Sequence, residues 1–132
     1  MICLGIERGI VANTILVIDD DPSVAELIKI ILKPRGLLTY HAISGQEGLK
    51  QAYELQPDLV ILDVMMPEQN GYEICARLRE FSEVPILMLT AKSQSSDVTH
   101  GFAVGADDYV KKPFSMEDFS AKIREVLYHD TE

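Results

Sequence analysis

The sequence predicts a doubly wound α/β domain, in which a five-stranded parallel sheet of order 2-1-3-4-5 carries helices on both faces. Two observations lead to this prediction. Five short apolar runs alternate with segments whose apolar residues recur at helical spacing, and the polar residues that follow these runs fall at one edge of such a sheet. This alternation implies right-handed crossovers between parallel strands. A chain of 132 residues accommodates one such domain.

Each predicted strand is a short apolar run that stops at a polar residue. The first, residues 15–18, is rich in β-branched residues and is closed by three acids and Pro22, as in a buried strand that ends in a loop. The other strands are predicted at residues 37–43, 59–62, 86–89 and 107–111. Asp63 and Thr90 directly follow the third and fourth runs.

Helices are predicted wherever apolar residues recur at intervals of three or four. Ser44 and Ser115 can cap the second and the last helix, and a fourth helix is predicted near residues 95–104. The apolar residues at helical spacing are Val24, Leu27, Ile28, Ile31 and Leu32 in the first helix, Leu49, Ala52 and Tyr53 in the second, Ile74, Leu78 and Phe81 in the third, and Phe119, Ile123 and Leu127 in the last.

The composition is that of an acidic globular domain, with 47% hydrophobic and 25% charged residues. A net charge of −9 argues against nucleic-acid binding by this domain, because phosphate groups are met by clustered Lys and Arg. No run approaches a membrane span, and two cysteines without ligand spacing favour a cytoplasmic setting. We expect the domain at residues 14–129, between an N-terminal extension at 1–13 and a tail at 130–132.

Polar side chains gather at the predicted carboxyl edge of the sheet, where open α/β sheets bind their ligands. Asp19 and Asp20 end strand one, Asp63 ends strand three, Thr90 ends strand four and Lys112 follows strand five. Neighbouring strands lie about 4.8 Å apart, so these carboxylates repel one another unless a cation compensates them. Mg²⁺ suits such an oxygen-only site, and beside it an aspartate can act as a nucleophile toward phosphorus.

Four motifs occur in order along the chain. They are Ile15-Leu-Val-Ile-Asp-Asp-Asp-Pro22, Asp58-Leu-Val-Ile-Leu-Asp-Val-Met-Met-Pro67 with Gly71, Leu89-Thr-Ala91 and Gly105-Ala-Asp-Asp-Tyr-Val-Lys-Lys-Pro-Phe114. In order and spacing these motifs resemble those of response-regulator receiver domains of two-component systems, which have the flavodoxin-like form of this fold. The part from residue 105 is most similar to receivers of winged-helix transcription factors.

The resemblance implies a phospho-acceptor switch rather than an enzyme, with self-phosphorylation from small donors and self-dephosphorylation. A sensor histidine kinase or phosphotransfer protein would supply the phosphoryl group. A conformational change of the face formed by helix four, strand five and helix five would relay the state to an unknown downstream protein or output domain. The implied roles are phosphoacceptor for Asp63, direct Mg²⁺ ligand for Asp20, holder of a metal-bound water for Asp19, backbone-carbonyl ligand for Met65, switch pair for Thr90 and Tyr109, and phosphoryl contact for Lys112.

Two alternatives stay open at this point. The run from Asp19 to Ser23 also fits the Asp-x-Asp start of haloacid-dehalogenase-type phosphatases, whose nucleophile would be Asp19. In that family, however, the lysine precedes the late acidic pair, whereas here Asp107 and Asp108 precede Lys112. The chain is also either a free-standing receiver or part of a longer regulator.

A departure from the resembling receivers bears on oligomeric state. Those receivers dimerise through charge pairs on the face formed by helix four, strand five and helix five, here called the signalling face (residues 95–104, 107–111 and 115–128). The acid–base pair Asp108 and Lys122 is present, but Val98 and Ala103 stand where a base and an acid are expected. We therefore expect a mainly monomeric protein.

Overall fold

The computed structural model of the chain describes residues 14–66, 69–90, 103–112 and 114–128. The predicted extension at 1–13, most of the predicted helix at 95–104 and the tail at 130–132 lie outside these residues. The strands are β1 Thr14–Ile18, β2 Leu38–Ala42, β3 Leu59–Asp63, β4 Met65–Met66, β5 Gln69–Asn70, β6 Ile86–Thr90 and β7 Asp108–Lys111. The helices are α1 Pro22–Leu32, α2 Gly45–Leu55, α3 Gly71–Arg79 and α4 Met116–Tyr128, with a 3-10 turn at Lys33–Arg35.

Five strands form one parallel sheet in the order β2-β1-β3-β6-β7, which confirms the predicted topology. Strands β3 and β6 are buried along their whole length because helices cover both faces. The register sets Asp63 beside Leu89 and Thr90 beside Lys111. The carboxyl ends of the central strands therefore meet at one edge of the sheet.

The sheet separates two hydrophobic clusters. On one face, α2 and α3 pack against the sheet, and Cys75 and Leu78 are fully buried there. On the other face, α1 and α4 pack, with Ile28 and Phe119 fully buried. No helix among the described residues has the length and hydropathy that crossing a membrane requires.

Side-chain caps fix where the helices begin. The Ser44 hydroxyl accepts a hydrogen bond from the Glu47 amide at 3.1 Å, and the Ser115 hydroxyl accepts one from the Asp118 amide at 3.0 Å, as the sequence predicts. Asp21 caps α1 through the Ser23 amide at 3.0 Å, and hydrogen bonds from Ser23 lower the pKa of this carboxyl. Asp21 therefore acts as the N-cap of α1, a role that distinguishes it from Asp19 and Asp20.

The structure differs from the sequence prediction at two aromatic residues. Phe81 lies beyond the end of α3 and is 42% exposed, while Tyr53 on α2 is 68% exposed. Their rings contact each other edge to face, with centroids 5.6 Å apart. The short antiparallel pair Met65–Met66 with Gln69–Asn70 was not predicted either, because two-residue strands carry no periodic pattern.

Arg79, the last residue of α3, ties three segments together. Its guanidinium donates hydrogen bonds to the backbone oxygens of Gly105 at 3.0 Å and Val84 at 2.7 Å. It also forms an ion pair with Asp107 at 2.9 Å, and the same Asp107 oxygen accepts the Ile86 amide at 2.8 Å. The arginine thus holds the start of β6 and the approach to β7 against α3.

We expect Arg79→Ala to lower the free energy of unfolding by about 2–3 kcal/mol, because three backbone carbonyls, that of Ser82 at 3.3 Å among them, and a carboxylate lose their donor. Urea unfolding monitored by circular dichroism measures this change. Arg77→Ala is the matched control on the same helix: Arg77 is exposed, so its removal should change stability by less than about 0.5 kcal/mol. Equal effects of the two substitutions would show that Arg79 is not a structural tie.

Candidate functional site

Asp19 directly follows β1 and is completely buried. Its Oδ1 atom accepts a hydrogen bond from the Asp21 amide at 2.9 Å. Among the described residues its Oδ2 atom has no hydrogen-bond partner, and the Lys112 ammonium stands 3.8 Å away. A buried carboxylate oxygen without a donor costs free energy, so this atom marks a place where a cation would be stabilising.

Asp63 is the last residue of β3 and is 4% exposed. Its Oδ1 atom accepts a hydrogen bond from the Met65 amide at 3.0 Å, which orients the carboxylate toward the sheet edge. Gly71 begins α3 so close to this residue that a Cβ there would lie 2.6 Å from the Asp63 carbonyl oxygen. Only glycine allows this approach, and it lets α3 start directly beside the acid.

Lys112 reaches the same carboxylate from the far side of the sheet edge. Its amide donates a hydrogen bond to the Thr90 carbonyl at 2.7 Å, which fixes its backbone next to the end of β6. Its ammonium lies 3.4 Å from Asp63 Oδ2. The Thr90 side chain is also buried at this edge, with 5% exposure. An ammonium group, a carboxylate and a hydroxyl thus lie at the carboxyl ends of adjacent strands.

Asp19, Asp20 and Asp63 lie close together and are here called the acidic cluster. Each offers an oxygen within 4.8 Å of the others, and Asp20 is the exposed member. The pKa of Asp19 is raised to about 7, chiefly by burial and also by the charge of Asp63, and this value already includes the lowering effects of the Asp21 amide and the Lys112 ammonium. Keeping Asp19 fully ionised at neutral pH therefore requires more positive charge than Lys112 supplies.

The acidic cluster fits a small divalent cation. It combines an exposed carboxylate, through which an ion can enter, with a buried carboxylate oxygen that receives no donor from the part of the chain that the structure describes. Oxygen-only ligands in this number are those that Mg²⁺ takes while keeping waters. The observation that supports the fit is the unpaired Asp19 oxygen.

The structure brings five of the seven predicted site residues together and places the other two separately. Asp19, Asp20, Asp63, Thr90 and Lys112 gather at the sheet edge, as the sequence led us to expect. Met65 adjoins the site through its backbone: its amide donates to Asp63, while the residue is 54% exposed. Tyr109 lies on β7 opposite Met88, half-buried against the cluster under α2 and α3.

His41 was not singled out from the sequence, yet it adjoins the site. Its Nε2 atom is 2.7 Å from the Asp19 carbonyl oxygen, and the Asp19 amide donates to the Ala42 carbonyl at 3.0 Å. These contacts anchor the turn after β1 to the end of β2. A lone histidine in a strand carries no signal of such a contact in the sequence, because the contact depends on strand pairing.

Comparison with known proteins places this arrangement among signalling domains. The family model described as response regulator receiver domain matches residues 15–124. The DNA-binding response regulator MtrA of Mycolicibacterium smegmatis is 49% identical over 110 residues, which cover 83% of this chain and 48% of that protein. The DNA-binding dual master transcriptional regulator RpaA of Synechocystis sp. is 44% identical over 116 residues, covering 86% of this chain and 48% of that protein.

Solved structures show the same fold along nearly their whole length. A response regulator from Chloroflexus aurantiacus superposes with a TM-score of 0.81 at 39% identity, covering 88% of this chain and 98% of that one. The chemotaxis protein CheY4 of Vibrio cholerae superposes with a TM-score of 0.81 at 31% identity, covering 88% of this chain and 99% of that one. The chain thus spans about half the length of the curated relatives it matches and nearly all of these solved receivers.

Proposed function

The chain belongs to the response regulator receiver domain family, and on this premise we propose that it is a phospho-acceptor switch whose acceptor is Asp63. The observation that carries the proposal is the position of this carboxylate. It is buried at the end of the central strand β3, oriented by the Met65 amide, and 3.4 Å from the Lys112 ammonium. A strand-end aspartate held beside a fixed cation can act as a nucleophile toward a phosphoryl donor.

In the proposed reaction, a carboxylate oxygen of Asp63 attacks phosphorus and an acyl phosphate bond forms. With a phosphohistidine donor, the nitrogen–phosphorus bond breaks and the imidazole leaves, taking up a proton from solvent. Lys112 stabilises the negative charge on the phosphoryl oxygens, and Thr90 offers a hydroxyl donor to the same oxygens. The physiological donor is a sensor histidine kinase or a phosphotransfer protein.

We propose Mg²⁺ as the cofactor of this site. The ligands would be Asp20 and Asp63 directly, Asp19 through a water and Met65 through its carbonyl oxygen. Bound there, the ion would neutralise carboxylate charge and stabilise charge on phosphoryl oxygens. This chain contributes the orientation: the Met65 amide and the Gly71 approach hold Asp63 in place, and the Asp21 amide holds Asp19.

The test of this function is labelling by a small donor. Incubation with acetyl phosphate and Mg²⁺ should produce one acyl phosphate, which mass spectrometry after borohydride reduction locates at Asp63. Omitting Mg²⁺ should reduce the extent of labelling at least tenfold. Modification of Asp19 instead would support the haloacid-dehalogenase-type alternative, which the paired Asp63 and Lys112 disfavour.

We further propose that phosphorylation is read through Thr90 and Tyr109, with Thr90 moving toward the phosphoryl group and Tyr109 turning inward. Their backbones lie on adjacent strands, β6 and β7. The ring of Tyr109 is half-buried and so has room to change its environment. ¹⁹F NMR of fluorotyrosine-labelled protein should show a new Tyr109 resonance after beryllofluoride and Mg²⁺ are added. A resonance unchanged at saturation would contradict this coupling.

The reader of this state is a downstream protein or an output domain. The relatives of about twice the length are named as DNA-binding regulators. For this domain itself, with a net charge of −9, we propose no contact with nucleic acid, and we propose a cytoplasmic location.

We propose that the domain is mainly monomeric, phosphorylated or not. Lys122 is already paired with Asp108 within the chain at 3.0 Å, and this hydrogen bond raises the pKa of the lysine. Ala103 is exposed where an acidic partner is expected, and position 98 lies outside the described residues. Exposed ion pairs contribute roughly 0.2–1 kcal/mol each. The loss of two such pairs across the interface lowers both the affinity and the specificity of dimerisation.

Sedimentation velocity at micromolar concentration should therefore give a monomer before and after beryllofluoride is added. The opposing result is a tight dimer that requires activation and disappears on Lys122→Glu.

A further inference from the structure

The peptide that joins Asp19 to Asp20 links the buried and an exposed member of the acidic cluster. Asp19 is completely buried, and its carboxylate is held by the Asp21 amide at 2.9 Å. Asp20 is exposed, so packing does not fix its carboxylate. Because a peptide bond is planar, the direction of the Asp19 carbonyl sets the position from which the Asp20 side chain starts. The group that holds this carbonyl therefore orients the two acids relative to each other.

The His41 imidazole holds this carbonyl. Its Nε2 atom is 2.7 Å from the Asp19 carbonyl oxygen. A carbonyl oxygen can only accept a hydrogen bond, so Nε2 carries a hydrogen and donates it. A ring nitrogen that carries a hydrogen does not coordinate a metal ion. Through this atom, His41 acts on the acidic cluster by way of the Asp19–Asp20 peptide and not as a ligand.

The pairing of β1 with β2 does not depend on this contact. The two strands pair in register along Thr14–Ile18 and Leu38–Ala42 through their backbones. The Asp19 amide adds a further backbone bond, to the Ala42 carbonyl at 3.0 Å. The imidazole reaches past these bonds to the Asp19 carbonyl, where the turn after β1 begins. The contact therefore bears on the turn that carries the acids more than on the sheet.

We propose that His41 is a positioning residue for the divalent cation, because it orients the Asp19–Asp20 peptide and so keeps the Asp20 carboxylate within reach of Asp63. This inference rests on the proposed function, since it takes the acidic cluster as the Mg²⁺ site. In the structure, oxygens of the three carboxylates lie within 4.8 Å of one another. Without the imidazole donor the carbonyl is free to turn, and Asp20 then samples positions away from the other two acids.

Titration of the ¹⁵N-labelled full chain with MgCl₂ tests the proposal, with the amide signals of Asp20 and Met65 followed by NMR. His41→Leu removes the donor, and His41→Val is a second removal variant whose side chain favours strands. His41→Gln restores a donor, since its amide nitrogen stands the same number of bonds from the backbone as Nε2. Thr39→Val is the matched control on the same strand: it removes a hydroxyl that has no hydrogen-bond partner among the described residues.

The dissociation constant for Mg²⁺ should rise by about tenfold or more in His41→Leu and His41→Val, as is typical when a group that orients metal ligands is lost. It should stay within about twofold of the parent in His41→Gln and in Thr39→Val, which keep a donor at the carbonyl. Circular dichroism and urea unfolding in chelator check the fold of each variant.

Two results would overturn the proposal alone. One is a dissociation constant that His41→Leu and His41→Val leave unchanged while stability falls, because His41 would then only support the fold. The other is a loss of affinity that His41→Gln does not restore. A parent chain that binds no Mg²⁺ would refute the proposed cofactor and this inference with it, so the two failures are distinguishable.

Discussion

Asp63→Asn is expected to abolish phosphoryl acceptance, reducing acyl phosphate formation from acetyl phosphate and Mg²⁺ by at least 100-fold while leaving the fold intact. The reason for the loss is chemical, because an amide is not a nucleophile toward phosphorus. The fold should persist because the asparagine oxygen can still accept the hydrogen bond that the Met65 amide donates to Asp63 Oδ1 at 3.0 Å in the parent. Intact-mass spectrometry and borohydride trapping measure the labelling, and circular dichroism checks the fold.

Asp58→Asn is the matched control for this substitution. Asp58 is an exposed acid at the opposite edge of the sheet, where its carboxylate accepts the Thr14 amide at 2.7 Å. An asparagine there keeps the acceptor and removes one charge, so labelling should proceed at the parent rate. Full labelling of the Asp63→Asn variant would refute Asp63 as the acceptor. Labelling displaced to Asp19 would instead favour the phosphatase-type reading of the strand-one acids.

The order of the strands and the grouping of the site could be predicted from the sequence because both depend on local pattern. Continuous apolar runs fix the strands, and parallel pairing then sets the polar residues at their carboxyl ends side by side. Asp63 and Lys112 are 49 positions apart along the chain, yet their side chains are separated by 3.4 Å. Caps such as Ser44 were predictable for the same reason, since a cap is a contact within one turn of helix.

Features that depend on long-range packing escaped prediction. The helical spacing of apolar residues included Phe81, but α3 ends at Arg79, before this residue. The same kind of spacing included Tyr53, yet both aromatic residues are exposed to solvent. The Arg79 tie joins residues 26 positions apart through backbone oxygens, which have no side-chain signature. The contact of His41 with the Asp19 carbonyl likewise depends on the register of β1 and β2.

Within the site, the sequence indicated the acidic cluster but not how unequal its members are. Asp19 is completely buried, whereas Asp20 is exposed, although the two are adjacent in the chain. Burial is the main cause of the raised pKa of Asp19. At Asp19, the ionised form that a cation would bind is also the form that burial disfavours in the folded chain.

Asp19→Asn is expected to stabilise the metal-free fold at pH 8. The pKa of Asp19 is about 7 in the folded chain, against an ordinary value of 3.8. Because the folded pKa is raised, the folded state binds more protons between these two values, and stability falls as pH rises through this window. The full difference corresponds to on the order of 4 kcal/mol at pH 8, and it disappears below pH 3.8.

Urea unfolding of the parent and of Asp19→Asn in chelator, at intervals from pH 4 to pH 8, measures this difference. The variant should gain on the parent as pH rises, since asparagine does not ionise. Asp21→Asn is the control in the same turn: its carboxyl is an exposed cap, and an asparagine oxygen can still accept the Ser23 amide, so this variant should not gain on the parent as pH rises. Mg²⁺ should then stabilise the parent much more than the variant, because a ligand stabilises the state that binds it. If the free energies of unfolding of parent and variant change in parallel with pH, burial does not raise the pKa of Asp19. The argument that its Oδ2 atom marks a cation site would then fail.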